Sequence, residues 1–276
     1  MQNTESEALA GRSRVRGRRG AEPSARAGVR ALERGLALLE ALAQQPQATL
    51  TELAQRARLP ASTVFRLLET LTARGFVTQE RSGQYRLGVR AFEIGSTYLP
   101  RLQLNDVALP VMRELMQELG ETVNLAVRDR ADAVYIAQVE GLQMLRMFTR
   151  VGARTPAYCS GVGKALLAWL PLTQVRALLG PGPWPAHTEH TLTTFDALEH
   201  ALIEVRHRGY AIDDQEREAG VRCVAVPIAD ADGTAVAALS LSAPTVRLTP
   251  ARLAEVAPAV VGAGQRISER LCLAGR

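Results

Sequence analysis

The stretch from residue 30 to residue 88 constrains the fold of this chain most, because it combines three helical patterns with a hairpin pattern. The first helical pattern predicts a buried stripe at Leu32, Leu36, Leu39 and Leu42. The second pattern, "TLTELAQRA", begins at Thr49, and Glu52 follows at the spacing of a capping box. Two short amphipathic helices in close succession therefore precede the third pattern.

The third helical pattern is "LPASTVFRLLETLTARGFV", in which Gly75 stands where a helix stop is expected. Its predicted buried stripe consists of Val64, Leu67, Leu68 and Leu71. The next segment, "FVTQERSGQYRLG", predicts two short strands around a turn at Ser82 and Gly83. Three helices followed by a hairpin predict a winged helix-turn-helix domain over residues 28–88.

The charge distribution supports DNA binding by this first part of the chain. Residues 1–88 hold 14 arginines and 8 acidic residues, a net charge of +6, whereas residues 89–276 hold 19 basic and 20 acidic residues. The second helix of such a pair presents its N-terminal residues to base edges and phosphates. The alternative is an ordinary three-helix packing module with polar residues outside. We expect the DNA contacts to come from Ser62, Thr63, Phe65, Arg66, Arg81, Gln84 and Arg86.

The flanking segments define the domain boundaries. Residues 1–27 are rich in Gly, Ser, Ala and Arg, which predicts a disordered basic tail that either follows phosphates or is only solvated. Residues 89–104 predict a linker helix. No apolar run is long enough to span a bilayer, and the arginine-rich start lacks a clean apolar signal segment, so we expect a cytoplasmic protein without membrane contact.

Residues 105–274 mix helices with short strands, which predicts an α+β domain around an antiparallel sheet. The strands include "QMLRMFT", "VRCVAVPIAD" and "AVAALSLSA", and the closing helix is expected to be capped by Thr249. Side chains alternate along a strand, so Cys223, Ser240 and Ser242 belong to a polar face that suits a small-molecule pocket. The opposite face is apolar and suits packing under helices.

"CSGVGKALLA" adds a possible anion site, because Ser160, Gly161 and Gly163 precede a predicted helix whose free N–H groups favour a carboxylate. The alternative is a plain N-capped helix. Asp213 and Asp214 add carboxylates that either bind a ligand or lie at a solvated strand end.

Other chemistries have weaker support in the sequence. "HTEH" lacks a partner cysteine nearby, so we expect no metal and no cofactor. Cys159, Cys223 and Cys272 form no CxxC pair. A DNA-tethered enzyme acting through Cys223 or Asp213, and a thiol redox sensor using Cys159 and Cys223, remain as alternatives. No nucleophile–base constellation supports catalysis, and we expect no enzyme.

Taken together, the chain from about residue 28 resembles the IclR family of bacterial transcriptional regulators. The resemblance rests on "TELAQRARLPASTVFRLLETLTARGFV", "GQYRLG", "GETVNLAV", "VGARTPAYCSGVGKALLAWLP", "RGYAIDDQEREAGVRCVAVPIADADGTAVAALSLSAP" and "RLTP". It implies a GAF-like effector-binding domain, and dimers through the N-terminal domains that often assemble into tetramers and read a palindromic DNA operator. The effector-binding positions that it implies are Met147, Thr155, Gly161, Val162, Asp213, Cys223, Ser240 and Ser242.

The combined expectation is a sequence-specific transcription regulator whose operator binding is controlled by a small metabolite, either an organic or an aromatic carboxylic acid. An effector that prefers one arrangement of the effector domains would change operator affinity through linkage. A repressor is favoured over an activator, although the sign depends on where the operator lies relative to the promoter.

Overall fold

The computed structural model describes three stretches of the chain: residues 29–96, 104–144 and 149–274. They separate into two compact units, with the boundary between Gly95 and Ser96. The basic tail predicted at residues 1–27 lies outside the described residues, as do residues 97–103 of the predicted linker helix.

The N-terminal unit is a winged helix-turn-helix. Its elements are α1 (Arg30–Ala43), α2 (Leu50–Ala57), α3 (Ala61–Ala73), β1 (Val77–Gln79), β2 (Tyr85–Leu87) and α4 (Val89–Ser96). The predicted capping box is confirmed, because the Thr49 side chain accepts from the Glu52 backbone N–H and the Glu52 carboxylate accepts from the Thr49 N–H. Gly75 and Gly83 adopt positive φ after α3 and in the hairpin turn, where glycine is the least strained residue.

The buried stripe predicted for α1 is partly wrong. Leu38 and Leu42 are buried in the core of the unit, whereas Leu32 and Leu36 are 61% and 49% exposed. The buried positions of α1 are Gly35, Leu38 and Leu42, so the inward face is rotated by roughly 70° from the centre of the predicted stripe. Two leucines on α1 therefore face solvent within this unit.

The C-terminal unit is built on one antiparallel sheet, which confirms the predicted α+β class. In the described residues the sheet has six strands in the order β5-β4-β3-β8-β7-β6. The strands are β3 (Thr122–Asp129), β4 (Asp132–Val139), β5 (Arg154–Pro156), β6 (Ala211–Asp214), β7 (Val221–Ala229) and β8 (Ala235–Pro244). The helices are α5 (Leu104–Leu119), α6 (Gly161–Leu167), α7 (Leu172–Leu179), α8 (Phe195–Arg208) and α9 (Pro250–Ala274).

The two faces of this sheet carry different side chains, as the alternation predicts. Val224, Val226 and Leu239 share a buried apolar cluster with residues of α5 and α9. On the opposite face, Ala225 and Ala238 pack with residues of α6 and α8. Small side chains under α6 let this helix lie close to the strands and leave the outer end of the same face for polar groups.

Several local predictions can be compared with the structure. Thr249 caps α9, because its hydroxyl accepts from the Arg252 N–H. In the predicted strand at residues 143–149, residues 145–148 lie outside the described residues, and its described remainder forms no strand. Helix α7 and strand β5 have no sequence prediction, because both are short and weakly patterned. No helix among the described residues has the length and apolarity to cross a bilayer.

Candidate functional site

Helix α3 presents the predicted DNA-contacting residues on its outer face. Ser62, Phe65 and Arg66 are exposed and Thr63 is half-buried, whereas Val64 is fully buried in the core. The helix begins directly after Pro60, so these residues lie in its first two turns. The structure therefore places short polar side chains and an arginine at the N-terminal end that a recognition helix uses.

The wing carries the remaining predicted DNA contacts. Arg81 is exposed in the hairpin turn, and Gln84 is half-buried beside it. Arg86 is exposed on β2, and its guanidinium donates to the carboxylate of Glu80. The charge of Arg86 is thus balanced within the wing, whereas Arg81 makes no ion pair with any described residue.

The C-terminal unit contains a cavity of about 410 Å³ at the outer end of the polar sheet face. This volume suits a small organic molecule. The lining residues are Tyr135, Thr149, Arg150, Ala153, Arg154, Thr155, Ser160, Asp213, Arg217, Glu218, Val221, Cys223 and Ser242.

Four of the predicted effector-binding residues line this cavity together, namely Thr155, Asp213, Cys223 and Ser242. Asp213 stands opposite Cys223 across β6 and β7, and Cys223 stands opposite Ser242 across β7 and β8. Strand pairing therefore brings together residues that are far apart in the sequence.

The other four predicted positions lie elsewhere. Met147 lies outside the described residues. Val162 packs in the apolar cluster around α6, and Ser240 is buried beside Asn124 on the neighbouring strand. Gly161 sits close behind the cavity, where an added Cβ would lie 3.5 Å from the Cβ of Cys223. A role in effector binding for these residues stays a prediction.

The start of α6 is capped by a side chain. The Ser160 hydroxyl accepts from the N–H of Gly163, which lies inside the helix rather than before it. Gly163 also contacts the backbone of Ala157 so closely that a Cβ would collide with it. The glycine at this position therefore serves close packing, and anion binding at this end of α6 stays a prediction.

Two residues of the cavity wall, Thr155 and Ser242, carry hydroxyl groups. Thr155 is buried, and its Oγ1 has no hydrogen-bond partner among the described residues. The Ser242 Oγ accepts from the Asn124 side-chain amide at 3.3 Å, and Asn124 in turn accepts from Gln138. The Ser242 hydroxyl also interacts with the side chain of Cys223, which stands opposite it on β7.

Asp213 is the ionisable group at the inner end of the cavity and is 4% exposed. Its Oδ1 accepts from the backbone N–H groups of Glu216 and Arg217 at 2.8 and 3.4 Å. Burial raises the pKa of Asp213 to about 6, and this outweighs the opposing charge of Lys164. The carboxyl group can therefore gain or lose a proton near neutral pH when a ligand arrives.

A buried ion pair supports the wall behind Asp213. The Lys164 ammonium on α6 donates to the Glu216 carboxylate in the turn between β6 and β7. Burial raises the pKa of Glu216, and the charge of Lys164 opposes that rise. The pair ties α6 to the turn that carries Arg217, so the position of this turn depends on the helix.

Burial disfavours the thiolate form of the two cysteines that the nucleophile and redox-sensor alternatives would use. All three are free thiols. Burial raises the pKa of Cys159 to about 12, and burial raises the pKa of Cys223 as well. Since the thiolate is the reactive form, neither thiol is activated, and Cys223 serves as cavity lining.

Exposed charged residues surround the cavity mouth, and sequence reasoning missed them. Three of them are arginines, Arg150, Arg154 and Arg217, and the fourth is Glu218. Arg154 forms ion pairs with Asp129 and Asp132 at 2.6 and 3.1 Å. The only sequence signal for these residues was their position near strand ends, and that signal is shared by most surface arginines.

Comparison with known proteins covers both units. The family described as "IclR helix-turn-helix domain" matches residues 31–81, and the one described as "Bacterial transcriptional regulator IclR C-terminal" matches residues 96–269. The chain is 41% identical to the acetate operon repressor of Salmonella typhimurium, over 92% of this chain and 96% of that protein. It is 40% identical to the HTH-type transcriptional regulator BhcR of Paracoccus denitrificans, over 93% of each.

A solved structure is also similar to the chain. It is an IclR homologue from Microbacterium hydrocarbonoxydans in complex with 4-hydroxybenzoate, with a TM-score of 0.76 and 29% sequence identity. The match covers 87% of this chain and 98% of that one.

Proposed function

This chain belongs to the IclR family of DNA-binding transcriptional regulators, and from that premise we propose that a small carboxylic acid in the cavity controls its binding to an operator. The relatives are regulators and not enzymes, which removes the hypothesis of a DNA-tethered enzyme. Binding energy that differs between two arrangements of the effector domains would be transmitted to operator affinity.

The observation that carries the proposal is the cavity with the buried carboxyl group of Asp213 in its wall and the arginines at its mouth. Polar groups at both ends of a cavity of this size favour a small polar molecule, and arginine guanidinium groups favour a carboxylate. The solved relative that binds 4-hydroxybenzoate supports an aromatic or other organic acid.

The DNA contacts of the proposal come from α3 and the wing. Ser62, Thr63, Phe65 and Arg66 would enter the major groove, because they form the exposed N-terminal part of the second helix of the pair. The wing residues Arg81, Gln84 and Arg86 would contact the adjacent backbone or groove, and Arg86 would have to leave Glu80 to reach a phosphate.

Exposed apolar side chains in the N-terminal unit support a homodimer. Leu32 and Leu36 on α1 and Phe92 and Ile94 on α4 are all close to half exposed or more. Leucine and phenylalanine side chains at this exposure favour coverage by a partner, and a second copy is the partner that a palindromic operator implies. Assembly of two dimers into a tetramer would extend the same arrangement.

The sign of regulation and the compartment complete the proposal. We infer repression, since the acetate operon relative is a repressor. A cytoplasmic location follows from operator binding, because the bacterial chromosome lies there.

Anisotropy measurements on labelled DNA from both sides of the protein's own gene test the proposal. Salt must be held constant, because phosphate contacts make affinity steeply salt-dependent. The acids to be added are 4-hydroxybenzoate, which the solved relative binds, and three other small carboxylates, namely benzoate, pyruvate and glycolate. Tight binding to one fragment that one of these acids changes supports the proposal. An operator affinity that none of them alters contradicts control by a small carboxylic acid.

A further inference from the structure

A neighbouring loop holds the backbone of the turn between β6 and β7. The Thr188 hydroxyl donates to the carbonyl oxygen of Gln215 at 2.6 Å, and the Thr191 hydroxyl donates to that of Glu216 at 2.6 Å. The next residue of the turn is Arg217, which lines the cavity mouth. The loop therefore fixes the backbone from which Arg217 projects.

The same loop also holds the side chain of Arg217, through His187. The Nη1 atom of Arg217 lies 2.9 Å from the Nδ1 atom of His187. On the other side of the ring, Nε2 lies 3.2 Å from the hydroxyl of Tyr158, which donates to the carbonyl oxygen of Pro185 at 2.7 Å. Three polar groups thus stand in a line behind Arg217.

Donor and acceptor roles along this line follow from the ends. An arginine is always a donor, so Nδ1 of His187 must be the bare, accepting nitrogen. Burial raises the pKa of Tyr158 to about 12, so the hydroxyl group stays protonated. It donates its hydrogen bond to the carbonyl oxygen of Pro185. The Tyr158 oxygen is then an acceptor, and Nε2 of His187 carries the hydrogen. Every bond in the line has one donor and one acceptor.

This arrangement leaves the charge of Arg217 uncompensated. Partial burial and the charge of Arg217 lower the pKa of His187, so the ring is neutral at neutral pH. Arg217 forms no ion pair with any described residue, in contrast to Arg154, which is held by two carboxylates. A guanidinium that is oriented by a neutral acceptor keeps its remaining N–H donors and its full charge for a ligand.

We propose that Arg217 binds the carboxylate of the effector at the cavity mouth and that His187 is the positioning residue that orients it. This inference rests on the function proposed above and assigns the direction of the ligand in the cavity. The carboxylate lies at the mouth, and a hydroxyl or other neutral donor lies at the inner end against Asp213. The ligand class is therefore a hydroxy acid, or another acid with a donor opposite its carboxylate.

The charges at the two ends of the cavity set this direction. Asp213 at the inner end would repel a carboxylate whenever it is ionised, but it accepts a hydrogen bond from a hydroxyl in that state. Ser242 carries a hydroxyl group in the same part of the cavity, since strand pairing places it opposite Cys223 and places Cys223 opposite Asp213. The opposite orientation would bring two carboxylates together and leave Arg217 without an anion.

Isothermal titration calorimetry with 4-hydroxybenzoate and its uncharged amide tests the direction. For the wild-type chain we expect the acid to bind at least about tenfold more tightly than the amide. Arg217→Ala should lower the affinity for the acid by about 10- to 100-fold and leave the affinity for the amide nearly unchanged, because only the acid uses the guanidinium charge. Arg270→Ala removes an exposed arginine from α9, which covers the other sheet face, and should change neither affinity.

His187 needs its own variants, because a loop residue can act through folding alone. His187→Leu removes the acceptor and should lower the affinity for the acid. His187→Asn places an amide oxygen near the position of Nδ1 and should restore that affinity. In the Arg217→Ala background, His187→Leu should have no further effect on acid binding. Melting curves measured by circular dichroism identify any variant that fails to fold. If His187→Leu does not fold, acid binding by His187→Asn is compared with that of the wild type instead.

The outcomes separate this inference from the function beneath it. If the wild type binds neither 4-hydroxybenzoate, benzoate, pyruvate nor glycolate, the carboxylate effector itself is wrong, and this inference falls with it. If an acid binds but Arg217→Ala weakens acid and amide alike, or neither, the effector stands and the role of Arg217 is wrong. Additive effects of the two substitutions would refute the positioning role of His187.

Discussion

Replacing Asp213 with asparagine tests whether the buried, ionised carboxylate of Asp213 lowers the free energy of unfolding. Burial raises the pKa of Asp213 from 3.8 to about 6. A folded-state pKa above the unfolded value means that the folded chain binds the proton more tightly. The resulting contribution to stability is complete below about pH 3.8, and it is lost as the pH rises through about 6.

The magnitude follows from the same two values. A rise from 3.8 to about 6 corresponds to roughly 3 kcal/mol, since one pKa unit is about 1.4 kcal/mol. Asparagine keeps an Oδ1 that can accept from the N–H groups of Glu216 and Arg217, but it is uncharged in both states. We expect Asp213→Asn to raise the free energy of unfolding above neutral pH by up to about 3 kcal/mol, which corresponds to a rise in Tm of up to roughly 6–12 °C.

The assay is thermal unfolding of the wild type and the variant across a pH series, followed by circular dichroism. The difference in Tm should be small at about pH 4 and should grow as the pH passes about 6. Asp232→Asn changes an exposed carboxylate in the β7–β8 turn and should leave the pH profile of the wild type unaltered. A difference that is constant with pH, or a variant less stable than wild type at about pH 8, would refute the reasoning.

Three further substitutions address other parts of the molecule. Arg66→Ala should lower operator affinity about tenfold or more at constant salt, as measured by anisotropy, without changing Tm; an unchanged affinity would remove Arg66 from the interface. Ser242→Leu should fill the inner end of the cavity and abolish the calorimetric signal of an acid while operator binding persists, and retained acid binding would contradict the cavity assignment. Gly163→Ala should destabilise the C-terminal unit by about 1–3 kcal/mol or more, because the Cβ meets the backbone of Ala157, whereas Gly262→Ala in an open part of α9 should not; equal Tm values would contradict the packing argument.

The fold was predictable to the extent that local pattern determines it. The capping box at Thr49, the turn at Gly83 and the alternation around Cys223 each depend on a few neighbouring residues, and each is found in the structure. The face of α1 was not predictable in the same way. A stripe that includes Leu36 and a stripe that includes Leu38 both have helical spacing. Only packing against the other helices of the unit decides that Leu38 is the buried one.

The cavity shows a similar division. Cys223 and Ser242 could be chosen because both lie on long strands with a clear period of two. Arg217 could not, because it lies in a turn whose position depends on the distant threonines of another loop. The placement of a turn by distant residues leaves no local pattern in the sequence, and surface arginines are common. The residues at the cavity mouth could therefore not be predicted from the sequence.

The grip of Thr188 and Thr191 on the β6–β7 turn has an evolutionary consequence. Both hydroxyls bind main-chain carbonyl oxygens, and every amino acid supplies such an oxygen. Exposed side chains of this turn, such as Arg217 and Glu218, can therefore be exchanged while the backbone keeps its course. A duplicated copy of this gene could acquire a new inducer by substitutions in a handful of codons, without having to reinvent the fold that relays the signal.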